Sequence, residues 1–96
     1  MIQTLVERVG WLHCVTLSVS EPGIGAWRRP LGEYCSSDRA HHVAWLVEQH
    51  LRHIQRSRSI KDRDVADAFT IAAKTPSYAP DRWGRLVPLD HFGRYA

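Results

Sequence analysis

The segment from Ser37 to Arg58, SDRAHHVAWLVEQHLRHIQRSR, limits the possible folds more than any other. Ala40, Val43, Ala44, Val47, Leu51 and Ile54 recur at i, i+3, i+4 and i+7, which places them on one face of a helix about five turns long. That face is apolar, so the rest of the chain has to cover it. Ser36 or Ser37 can cap the free amides at its start, and Asp38 opposes the positive end of the helix dipole. Arg52, Arg56 and Arg58 gather at the negative end.

A second helix is predicted over roughly 60–74. Ser59 followed by Asp62 makes a variant capping box, Val65, Ala66, Ala68, Phe69, Ala72 and Ala73 supply an apolar face, and Pro76 ends it. The cover for the first helix has to come from the N-terminal half. Trp11, His13, Val15, Leu17 and Val19 alternate with Leu12, Cys14, Thr16, Ser18 and Ser20, the period of a strand with one buried face.

Glu21-Pro22-Gly23-Ile24-Gly25 is turn chemistry, and the return arm Ala26-Trp27-Arg28-Arg29-Pro30 ends in a residue that cannot donate to a ladder. The arm is therefore expected at a sheet edge, with Leu31–Cys35 resuming the strand after a kink at Gly32. Residues 2–9 fit either a strand or a short helix ended by Gly10, and the spacing of Ile2, Leu5, Val6 and Val9 leans towards the helix. From Thr75 onwards, prolines and glycines interleave with Tyr78, Trp83, Leu86, Val87, Leu89, Phe92 and Tyr95. Such a tail is too apolar for disorder and is expected to wrap the core in extended form, with a short strand at 85–89. Internal repeats are not evident. The expected fold is α+β: one domain spanning 1–96, an antiparallel hairpin or three-stranded sheet on a long central helix and a shorter second one, with an extended C-terminal tail.

A chain of 96 residues has room for one core and little for an elaborate cleft. No apolar run approaches the ~18 residues of a membrane span. Glu7 and Arg8 interrupt the stretch a signal peptide would need, so a soluble, cytoplasmic protein with reduced Cys14 and Cys35 is expected.

Catalytic spacings are missing. His13 and Cys14 are adjacent on a strand and point to opposite faces, glycine-rich phosphate loops are absent, and Asp90-His91 has no nucleophile at a recognisable distance. Of His41, His42, His50 and His53, only the last two could share a metal, and nothing completes a ligand set. Accordingly no catalytic, cofactor or metal site is expected. The stretch DVADAFTIAAKTPSYAPDRW resembles the start of a helix-turn-helix, yet Thr70 stands at the usual turn glycine, and Pro76 and Pro80 would break the recognition helix.

What remains are surfaces. Trp45 falls outside the apolar stripe, among Glu48, Gln49, Arg52 and Arg56, where either the tail covers it or a partner does. The segment 49–61 carries Arg52, Arg56, Arg58 and Lys61 without an acid and could contact phosphates. These features point first to a non-enzymatic inhibitor or adaptor that docks a protein partner. The expected contacts are Trp45, Gln49, Arg52, Arg56 and Arg58, or Trp27 and Arg28 on the edge strand. A nucleic-acid-binding regulator using 49–61 is the alternative, and a metal-binding protein the third reading.

Overall fold

A computed structural model describes residues 1–23 and 25–95; Ile24 of the expected turn and Ala96 of the tail lie outside the described residues. The chain forms β1 (Ile2–Val9), β2 (Leu12–Glu21), β3 (Gly25–Tyr34), α1 (Ser37–Gln55), α2 (Asp62–Lys74), β4 (Ser77–Pro80) and β5 (Leu86–Leu89). The first three strands make an antiparallel sheet in the order β1-β2-β3, and the last two make a separate hairpin. The α+β expectation is met.

Residues 2–9 are a strand, contrary to the helical leaning. Val9 pairs with Leu12, so Gly10 and Trp11 form a two-residue hairpin turn, with Gly10 at φ 65°. Glycine in that conformation suits a helix end and the first corner of a type II′ turn equally. What decides is long-range: Ile2, Thr4 and Val6 share a face with their partners Val19, Leu17 and Val15, and that face meets α1. Trp11 is consequently in the turn and 68% exposed, not in the core; its ring edge meets Phe92 with centroids 6.4 Å apart.

β3 is an edge strand, as Pro30 requires. It is one continuous element in which Val15 pairs with Gly32 and Thr16 with Pro30, leaving Leu31 as the extra residue of a bulge. The chain thus bends at Leu31, one position before the expected kink.

Val15, Leu17 and Val19 from the sheet and Ala40, Val43, Val47 and Leu51 from α1 are all buried and form the core with Val65, Ala68 and Ala72 of α2. Ile54 lies at the margin of this core, half-buried, and Ala66 is exposed. Ser36 caps α1 by accepting from the Arg39 amide at 3.4 Å. α2 starts two residues later than expected. Its anchor is the Asp64 carboxylate, which accepts from the Lys61 amide at 2.8 Å, rather than Ser59.

The tail does not simply wrap. It folds into the β4–β5 hairpin, continued by a bridge between Leu89 and Tyr95. It also contains a repeat that the sequence reading passed over: Asp-x-aromatic-Gly-Arg stands at 81–85 and again at 90–94, nine residues apart. The two copies fold alike.

Leu51 has no solvent exposure and sits where α1 crosses the sheet. Leu51→Ala is expected to destabilise by roughly 2 to 5 kcal/mol in chemical denaturation; a loss under about 1 kcal/mol would mean that the stripe is not the core.

Candidate docking surfaces

The C-terminal hairpin is positioned by one buried cation. Arg39, 1% exposed in the first turns of α1, makes no ion pair among the described residues and spends its donors on main-chain oxygens and a hydroxyl. Nη1 reaches Thr75 O at 2.8 Å and Ser77 Oγ at 2.7 Å, Nη2 reaches Ala72 O at 3.2 Å, and Nε reaches His91 O at 3.2 Å. One guanidinium thereby satisfies carbonyls at the end of α2 and in the second turn of the tail together with the hydroxyl at the start of β4, using the planar fork that lysine lacks. Burial lowers the Arg39 pKa, which the neighbouring Tyr34 and Asp90 oppose.

Ser77 Oγ also lies 2.6 Å from His42 Nδ1. Arg39 can only donate, so the hydroxyl accepts from it and keeps its own O–H free to donate to His42 Nδ1 when that nitrogen is unprotonated. Burial first, and the charge of Arg39 second, push the His42 pKa down. Ser77 is buried at the base of the hairpin, while His42 is half-buried and lines the groove beside Trp45, so this hydroxyl–imidazole pair joins the hairpin to α1.

The two turns of the tail share one bonding pattern, to which the second adds an amide from Gly93. Asp81 Oδ1 accepts from the amides of Trp83 and Arg85, both at 2.9 Å; Asp90 Oδ1 accepts from Phe92, Gly93 and Arg94 at 3.0, 2.9 and 2.8 Å. Gly84 and Gly93 take φ of 80° and 104°, a region that other residues resist. Arg85 lies 5.8 Å from the Trp83 ring, and Arg94 lies 5.7 Å from the Phe92 ring. The amide bonds of Arg94, then its side chain, hold the Asp90 carboxyl below its ordinary pKa.

Their surroundings differ. The 90–94 turn is docked on the body: Phe92 O accepts from the Cys35 amide at 3.0 Å, and His91 O accepts from Arg39. Gly93 is buried so closely that a Cβ there would stand 3.0 Å from the side chains of both Ser36 and Arg39. The 81–85 turn stands at the tip of the hairpin with Trp83 69% exposed and Arg82 also near its ring, at 4.9 Å. Tyr78, Pro80, Leu86 and Pro88, paired across the hairpin, are also exposed. Sequence reasoning missed this surface, and the repeated pentapeptide was the signal that could have found it.

The residues singled out from the sequence do not form one site. Trp45 is 58% exposed and is not covered by the tail; it lines a groove of about 670 Å³ between α1 and the free edge of β1, with Thr4, Leu5, Val6, Ala44 and Glu48. Gln49 and Arg56 are exposed on the same helix. Arg52 is ion-paired to Glu48 and donates to Ile2 O at 3.3 Å. Arg58 binds Asp64 through both nitrogens at 2.7 Å, which holds that carboxyl far below its usual range. Two of the four cations of segment 49–61 are therefore tied to acids of the chain itself. Trp27 is half-buried against the core under Arg29, whereas Arg28 is exposed on the open face of the sheet.

Cys14 and Cys35 are free, and among the described residues no three His, Cys, Asp or Glu side chains cluster as a metal would require. The place of a recognition helix after α2 is taken by β4. Among the described residues no helix is long and apolar enough to cross a membrane. Comparison with family models, curated proteins and solved structures gives no match.

Two outcomes test the joint. Arg39→Met is expected to cost roughly 3 to 5 kcal/mol in urea denaturation, because several buried carbonyls lose their donor, and Arg39→Lys should recover only part of it. For His42 the unfolded chain takes up a proton at the ordinary value of about 6.5, before the folded chain does, so stability falls as pH drops through that value. Melting temperature should therefore decline more between about pH 7.5 and 5.5 in the native protein than in His42→Asn. Parallel declines would show that His42 is not held neutral.

Proposed function

We propose that this chain is a non-enzymatic binding protein of the cytoplasm, an inhibitor or adaptor, which docks a larger protein through its C-terminal hairpin with Trp83 as anchor. One observation carries this reading: the same turn occurs twice, and one copy is engaged with a protein surface. The intramolecular contacts of the 90–94 turn support this reading: it takes a main-chain N–H at the end of a strand, a donor for the preceding carbonyl, and an aromatic ring at the side. The 81–85 turn has the same backbone and offers a larger ring beside two arginines. Trp and Arg in an exposed, pre-shaped turn are the residues that dominate protein interfaces, and the fixed loop lowers the ordering cost of association. The partner surface it fits carries an edge-strand terminus beside an aromatic side chain.

A base-stacking platform would use the same Trp and Arg side chains. The pairing of Arg52 and Arg58 with Glu48 and Asp64 speaks against the 49–61 segment as its phosphate-binding part.

A photo-crosslinking residue placed at position 83 in the source cells is expected to capture a discrete protein. Trp83→Ala should then weaken that complex about 30-fold or more while leaving the melting temperature unchanged, since the ring is exposed. Capture of nucleic acid, with oligonucleotide binding that weakens steeply between about 50 and 200 mM salt, would transfer the hairpin to the nucleic-acid reading. No crosslink at 83, or a complex that Trp83→Ala does not disturb, would remove the hairpin as the docking element.

A further inference from the structure

The two edges of the sheet are treated differently. β3 is blunted by Pro30, by the bulge at Leu31 and by Arg28 and Arg29, the devices that stop a strand from pairing outwards. β1 has neither proline nor bulge, although it carries Glu7 and Arg8 and its Ile2 carbonyl accepts from Arg52. It is regular over eight residues, pairs with β2 on one side only, and leaves Val9 and Leu5 exposed, the latter in the Trp45 groove. An edge left in this state is a template for another strand.

We infer that the occupant is a second copy of this chain, joined β1 to β1 across a two-fold axis at Val6 to make a continuous six-stranded sheet. Antiparallel self-pairing is what a two-fold axis perpendicular to a sheet produces, and directly opposed residues then share a face. Registers in which the axis passes through a residue keep the α1 faces of both copies on one side, and those centred on Val6 and on Leu5 pair most of β1. With Val6 opposite Val6 of the second copy, Thr4 lies opposite its Arg8. The Thr4 hydroxyl donates to Glu48 Oε2, so that arginine arrives at the Glu48 carboxylate, which is largely shielded from water. Arg8 has no acidic partner within its own chain among the described residues; its Nε donates to Gly10 O at 3.0 Å. The competing register, Leu5 opposite Leu5, would set Arg8 opposite Ile2, whose carbonyl already accepts from Arg52. Arg8 would then meet Arg52 away from Glu48, whereas in the Val6 register the two arginines share the Glu48 carboxylate, so charge complementarity favours the Val6 register. In that register the two grooves, each about 670 Å³, adjoin across the axis, and the Trp45 side chains of both copies close over the junction.

This inference is independent of the hairpin, which lies on a different part of the surface. Sedimentation equilibrium on the purified full chain at increasing concentration is expected to show a monomer–dimer equilibrium. Arg8→Glu should raise the dissociation constant at least tenfold, and Glu48→Lys added to it should recover most of that loss. Trp45→Ala should also weaken the dimer, while Trp83→Ala should not. Arg8 and Trp45 are both exposed, so the single variants are expected to fold, which circular dichroism checks. A chain that stays monomeric to about 100 µM, well above ordinary specific affinities, overturns the proposal. So does a dimer indifferent to both Arg8→Glu and Trp45→Ala, because the copies would then meet elsewhere.

Discussion

The geometry of the C-terminal third depends on one guanidinium. Arg39 leaves the first turns of α1, enters the protein, and binds oxygens from α2, β4 and the second tail turn without a direct ion pair, although the Asp90 carboxylate nearby favours its charge. Partial charges on the carbonyls at the end of α2 take the place of a counter-ion, since a helix C-terminus concentrates them. A buried charge of this kind is costly unless every donor is used, which makes the arrangement stringent: moving any of the three elements would strand donors and acceptors together. The hairpin therefore has a defined orientation even though it shares little apolar core with the sheet.

That dependence also explains what the sequence could and could not reveal. The stripe on α1 and the alternation in β2 were legible because burial there follows a simple period, 3.6 or 2, set by the backbone itself. Pro30 marked an edge for an equally local reason: it lacks the N–H that a ladder needs. Residues 2–9 were ambiguous because Gly10 serves either reading, and the choice is made by Val15, Leu17 and Val19 across the hairpin. Arg39 looked like one more polar residue near a helix start. Its role is fixed by carbonyls more than thirty positions away, and no local pattern encodes that.

The candidate surfaces divide along the same line. Trp45 stood out because it broke a helical pattern, and it is exposed. The basic run at 49–61 also looked distinctive in the sequence. Folding spends half of its four cations on Glu48 and Asp64, one supplied by the preceding turn of α1 and the other by α2. Trp83 breaks no periodicity, since the tail has none. Its meaning comes from comparison with Phe92, the equivalent residue of a turn that is already docked.

The hairpin is held at Ser77 by Arg39 and, beyond β5, at the His91 carbonyl by Arg39 and the Phe92 carbonyl by the Cys35 amide, with Gly93 packed against Ser36, while its tip projects. Both attachments converge on the first turn of α1, where Ser36 is the helix cap. A pull on Trp83 would act as a lever on that turn. Mechanical load at the tip would reach the helix at its N-terminal end, so unwinding under force would begin there and run towards the core, with the three-stranded sheet yielding last.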